Sequence, residues 1–392
     1  TTSDDVEVKW KTFGLLSSLP VSPEAQQKIL HVLPQAIDLL QGPNLNDAHL
    51  EDEPVQLMIA SCTIIRNLIF SDPTTMVKQI VEAGAITLLI AVIGSPVKEL
   101  QRIAAQALTK IFEESPQSRG KLREPPGLSK IVTVITTSVS SGGDLPLLSQ
   151  CATLLRCCCS LDYKSRVEAC HVGAPKAFIG ALLLKSPCCT SADSTSSTSS
   201  PSLDEPSINY FRSICRVLAA LISGSVRGAT EALSASGAGG QPVIEKLSVL
   251  LKNQATCVEA SELTAALLRH LCWIAPATIG TLSESLAPRA VQHEAAARAL
   301  SLLCASSPTA AYQVAEFPGT LESLYVALLD KVTPTDIRVH LIQCLCHISE
   351  RCSRGAKVIA EIGGVSIIWP LHKDPSQNIQ DASLMLIRSL MT

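Results

Sequence analysis

Cys344, Cys346, His347 and Cys352 crowd one stretch near the C-terminus and are of the types that ligate zinc. Their spacing argues against that use. On a helix, residues two apart point to different faces, and the paired Cys-x-x-Cys knuckles of zinc sites are missing. Cys157, Cys158 and Cys159 could supply a nucleophile, which needs an activating base; they spread around a helix with no His beside them in sequence. The glycine-rich SGAGGQP, residues 236–242, follows no strand and matches neither phosphate-loop nor dinucleotide spacing, so it reads as a helix junction. No arrangement supports catalysis, no cofactor or metal is expected, and function is expected on a surface.

The elements beneath these residues read as helices. Val81 to Phe112 forms one complete unit: a helix ending near Ala83, a turn at Gly84, a buried apolar helix from Ala85 to Ile93, an N-cap and first-turn proline at Ser95 and Pro96, then a long helix. Leu100, Ile103, Ala104, Ala107, Leu108 and Ile111 give that last helix its amphipathic stripe. One such unit cannot bury its own apolar faces, so copies must stack.

Copies do recur. The hinge glycine is expected at Gly84, Gly127, Gly173, Gly237, Gly280, Gly319 and Gly364, with steps of 43, 46, 64, 43, 39 and 45 residues. The long step contains 186–207, whose removal leaves about 42, a solenoid-repeat length. The third helix keeps step in IRNLI (65–69), LTKIF (108–112), LRCCC (155–159), LAALI (218–222), LCWIA (271–275), LSLLC (300–304), LCHIS (345–349) and IRSLM (387–391). A short pair of helices is expected after Pro276.

A net charge of −3 and no basic stripe with interleaved aromatics argue against nucleic acid as partner. Apolar runs stay well below 18 residues, so no membrane insertion is expected. Without an initiator Met or a signal-like segment, the chain is expected to be an excised domain of a soluble, cytoplasmic protein, with the nucleus also compatible. Most of the fifteen Cys, including Cys62, Cys151, Cys158, Cys215, Cys304 and Cys344, fall on helical stripes and read as reduced core thiols. Thr190 to Ser202 has ten Ser or Thr in thirteen residues and little to bury. The insertion at 186–207 reads as a loop and carries Ser186-Pro187 and Ser200-Pro201, candidate proline-directed phosphorylation sites.

QIVEAGAITLLIAVI (79–93), AYQVAEFPGTLESLYVALL (311–329) and KVIAEIGGVSIIWPL (357–371) resemble the armadillo repeat at its first-to-second helix junction, and the likeness runs from about Glu51 onward. The resemblance implies an all-α, right-handed armadillo-like solenoid of about seven to eight three-helix repeats in one domain, 1–392. Residues 1–50 would be a degenerate N-terminal cap and 186–207 a disordered loop insertion. In that family the third helices line a concave groove. Of the positions that match this groove ladder, those expected to hold a partner are Asn67, Gln106, Lys110, Arg216, Arg269, Trp273, Arg298, Gln343 and His347. Only Asn67 matches the Asn row of importin-alpha-like members, and Trp273 stands in the wrong row for their Trp.

Arg216, Arg269 and Arg298 at three successive equivalent positions suit carboxylate or phosphate. The chain is therefore expected to be a scaffold or adaptor holding an extended acidic or phosphorylated partner segment. Removing all three arginines is expected to weaken binding and leave the melting temperature alone. The alternatives are a co-chaperone-type domain for a client or chaperone ATPase, and an autoinhibitory domain of a larger protein.

Overall fold

Short polar residues beside prolines start several helices, for a local reason. The first amides of a helix lack partners, and a carboxylate or hydroxyl one residue upstream supplies an acceptor while proline needs none. Asp72 accepts from Thr75 N (3.3 Å), Asp144 from Leu147 N (3.0 Å) and Ser307 from Ala310 N (3.1 Å). The structure, a computed structural model, describes residues 33–41, 52–160, 162–184, 203–223, 225–235, 241–270 and 276–391. Gly237, Trp273 with the rest of 271–275, Ser186, Ser200 and most of the 1–50 cap lie outside the described residues. Among the described residues every element is helical and there is no strand.

Two compact units are present, Thr1–Leu184 and Lys185–Thr392. The first contains α1 (Leu33–Gln41), α2 (Asp52–Ser71), α3 (Pro73–Glu82), α4 (Ala85–Ile93), α5 (Lys98–Glu114), α6 (Gly120–Arg123), α7 (Gly127–Ser140), α8 (Leu145–Cys159), α9 (Tyr163–His171) and α10 (Ala174–Leu182). The long helices pack in sequence order, α2 on α5 and α5 on α8. By length and composition alone α2 could pass for a membrane span, with mean hydropathy 1.3 over Pro54–Ser71, and half of that stretch is buried in the protein. Its partners are α1, α3 and α5.

The Val81–Phe112 unit closely follows its sequence. Between α3 and α4 the chain turns by 87°, and Gly84 sits in the left-handed region at φ 76°. Ala85, Ile86, Leu89, Ile90, Val92 and Ile93 of α4 are buried, as is the whole predicted stripe of α5. The start of α5 differs from expectation. Ser95 Oγ accepts from Val97 N (3.2 Å), closing a tight turn, and the helix opens two residues later at Lys98.

The second unit contains α11 (Glu205–Ile222), α12 (Val226–Ala235), α13 (Gln241–Lys252), α14 (Cys257–Leu268), α15 (Pro276–Ala290), α16 (Glu294–Ser306), α17 (Pro308–Glu316), α18 (Thr320–Leu329), α19 (Thr335–Arg351), α20 (Ser353–Glu361), α21 (Gly364–Ile368) and α22 (Gln377–Met391). Here α11 packs on α14, α14 on α16, α16 on α19 and α19 on α22. The expected loop 186–207 is shorter at its end than the sequence reading had it, because α11 begins at Glu205, with extended backbone at Asp204 and Pro206 in the first turn.

The glycines divide into kinds. Gly84, Gly173, Gly319 and the pair Gly363–Gly364 have positive φ at a helix start, as expected. Gly127 does not; a Cβ there would stand 2.3 Å from Leu122 O, so close approach selects glycine. Gly280 is no hinge at all, and the short pair of helices expected after Pro276 is one 15-residue helix, α15, that tolerates Pro288 near its end. At Gly84 a Cβ would meet nothing within 4 Å. Gly84→Ala is therefore expected to cost backbone strain alone, about 1 kcal/mol, read as a lower urea midpoint with an unchanged slope.

Polar groups inside the long helices are satisfied locally. Ser61 donates to Leu57 O (2.9 Å), Thr109 to Ala105 O (2.8 Å), Ser261 to Cys257 O (2.6 Å) and Thr264 to Ala260 O (2.7 Å), each within its own helix. Cys62, Cys151, Cys158, Cys215, Cys304 and Cys344 are buried on packing faces. Burial pushes the thiols of Cys62 and Cys151 up to about 12.

Candidate functional site

In the second unit, Arg269 just past α14, Arg298 on α16, Gln343 and His347 on α19 and Met385 on α22 line one cavity of about 650 Å³. They meet because residues at equivalent turns of successively packed helices share a face. Two nitrogens there are buried without a hydrogen-bond partner among the described residues, Arg298 Nε and His347 Nδ1. Arg298 Nη1 stands 3.8 Å from Glu294 Oε1, and His347 Nδ1 stands 3.8 Å from Glu350 Oε2. Burial holds the His347 imidazole below its ordinary value, with Glu350 opposing. Arg269 is exposed and forms no ion pair among the described residues. His340 Nδ1 shares a hydrogen bond with Gln343 Oε1 (3.0 Å), which orients that amide.

Arg216 does not join them. Its Nη2 donates to Glu259 Oε1 (2.6 Å), and Arg212 Nε donates to the same oxygen (2.9 Å). Glu259 is 4% exposed in its side chain, so Arg216 is committed to a buried carboxylate. The expected row of three like charges is thus two, with Glu294 and Asp381 close by. Burial, then the Glu259 charge, raises the Glu262 carboxyl, while Arg298 and Arg216 draw it down. Sequence reasoning missed Glu259 and Arg212. The available signal was the one-turn spacing of Arg212 and Arg216, which puts two guanidinium groups on one face.

In the first unit, Asn67 on α2 and Gln106 and Lys110 on α5 line a second cavity, about 690 Å³, with Arg66, Phe70 and Gln150. Lys110 is already compensated, 2.9 Å from Glu114 and 3.5 Å from Glu113, and the hydrogen bond to Glu114 raises its ammonium. Arg66, which sequence reasoning passed over, donates through Nε and Nη2 to Asn67 Oδ1 (3.2 and 3.0 Å) and through Nη1 to Gln106 Oε1 (3.5 Å).

The four residues considered as a metal set do not converge as one group: Cys344 and Cys352 turn to separate neighbours, while Cys346 and His347 line the same cavity beside Glu350. Cys344 Sγ lies 3.7 Å from Cys304 Sγ, Cys346 Sγ donates to Glu350 Oε1 (3.4 Å), Cys352 Sγ accepts from Gly355 N (3.2 Å), and His347 faces the cavity.

The helices define an all-helical protein. A solved engineered protein has a similar fold, with a TM-score of 0.63 at 18% sequence identity, over 100% of this chain and 97% of that one. No protein-family model and no curated protein matches the sequence.

Proposed function

We infer that the chain is an armadillo-like, right-handed α-solenoid of about seven to eight three-helix repeats and that it works as a non-catalytic scaffold for protein partners. Support for the repeat comes from the left-handed glycines at Gly84, Gly173 and Gly319, each opening a middle helix. The stepwise packing of long helices within each unit supports it too.

The partner is an extended acidic or phosphorylated segment laid across Arg269, Arg298, Gln343 and His347. One observation carries this reading. Arg298 Nε and His347 Nδ1 are buried in the same cavity with no hydrogen-bond partner among the described residues, and a buried donor left in that state costs about 1–3 kcal/mol until an acceptor arrives. A carboxylate or phosphate supplies acceptors and matches the charge of Arg269 and Arg298.

The test is fluorescence anisotropy with a labelled Glu-rich peptide, its phosphoserine counterpart and a Gln-rich control. Arg269→Ala with Arg298→Ala is expected to weaken binding of the anionic peptides by about tenfold or more, the loss of one charge-assisted hydrogen bond being enough, and to flatten the salt dependence. Unchanged affinity in the double variant, or equal binding of the Gln-rich control, ends the proposal.

A further inference from the structure

Arg66 and Phe70 are one helical turn apart on α2 and both line the cavity of the first unit. Among the described residues Arg66 donates only to amide oxygens, those of Asn67 and Gln106, so none of them neutralises the guanidinium they hold in place. Among the described residues the one carboxylate lining the cavity, Glu113, pairs with Lys110. An oriented, uncompensated guanidinium at a cavity wall is a carboxylate receptor. Phe70 is 55% exposed, a large ring left in water beside that charge.

We propose that this cavity is a second docking site for an extended segment of a partner protein, one carrying a carboxylate and an aromatic or branched apolar side chain two residues apart. The spacing follows from geometry. Cβ atoms one helical turn apart are about 5–6 Å distant, and side chains at i and i+2 of an extended chain lie on one face about 6.6 Å apart. The carboxylate seats on Arg66 and the apolar side chain covers Phe70. Gln106 and Gln150 border the segment with amides able to pair its backbone. This site belongs to the first unit and does not rest on the reading given for the second.

The experiment titrates the full chain with a labelled, otherwise Gly/Ser octapeptide containing Asp-x-Phe, against Asn-x-Phe, Asp-x-Ser and adjacent Asp-Phe controls. Binding of Asp-x-Phe is expected to fall about tenfold or more with Arg66→Gln and with Phe70→Ser, and to be unchanged by Arg269→Ala with Arg298→Ala. Phe70 is exposed, so its variant keeps the test valid if Arg66→Gln lowers stability. Equal binding of Asn-x-Phe or of adjacent Asp-Phe overturns the proposal, as does no binding of Asp-x-Phe at millimolar concentration. Sensitivity to the Arg269/Arg298 variant alone also overturns it, by moving the peptide to the second unit. So does a dimer in sedimentation that Arg66→Gln dissolves, because the occupant is then a second copy of the chain.

Discussion

Replacing Arg212 and Arg216 together with alanine is expected to lower the melting temperature by about 10 °C, and Glu259→Gln in the same chain is expected to restore most of the loss. Both arginines donate to one oxygen of Glu259 at 2.9 and 2.6 Å, and the carboxylate is 4% exposed. Without them a buried charge is left uncompensated, which costs about 3–5 kcal/mol. In a unit of this size each kcal/mol moves the transition by about 2–4 °C. Glu259→Gln removes the stranded charge and keeps an acceptor in place. Alone, it leaves two half-exposed guanidinium groups that water can solvate, so its cost is smaller. A double variant that melts with the wild type in circular dichroism, or one that Glu259→Gln fails to rescue, contradicts the assignment. The expectation that Arg216 could be removed with Arg269 and Arg298 at no cost in stability fails for the same reason: this arginine is structural.

A second large effect is expected with base. Burial pushes the thiols of Cys62, Cys151 and Cys159 up to about 12 from an ordinary 9.0. Below pH 9 folded and unfolded chains both hold these protons, and the stabilisation is complete. Above pH 9 the unfolded chain releases them while the folded chain keeps them, so stability falls until the folded thiols ionise near pH 12. Each thiol contributes a slope of about 1.4 kcal/mol per pH unit across that window, so the three together give about 4 kcal/mol per unit. Melting temperatures at pH 7.5, 9 and 10.5 should drop steeply over the last interval. Cys62→Ala with Cys151→Ala should make that drop visibly shallower, while an equal slope in the variant refutes the account.

Much of the architecture could be read from the residues because its signals are local. A left-handed glycine between two helices depends on its immediate neighbours, and the Val81–Phe112 unit followed its sequence for that reason. Gly280 departs from the pattern because recurrence along a chain does not fix conformation; this glycine stands at the expected interval yet lies inside α15 with no positive φ to require it. Ser95 departs more mildly, since its side chain closes a turn before the helix rather than capping the helix itself.

The candidate site divides along the same line. Helical spacing put Arg269, Arg298, Gln343 and His347 around one cavity and Asn67, Gln106 and Lys110 around another. It could not reveal that Glu259, 43 residues from Arg216, would be carried beneath it by the packing of α14 on α11. Nor could it show Arg66 bracing Gln106 from 40 residues away. Such pairings depend on side-chain reach across an interface, which spacing along one helix does not encode.

The inward hydroxyls of Ser61, Thr109, Ser261 and Thr264 each close on a carbonyl of the same helix. No neighbouring helix has to answer them, so exchange of Ser61 or Ser261 for alanine or cysteine strands no polar group on another helix. Neutral drift can then rewrite the interior one position at a time while the helices hold their places.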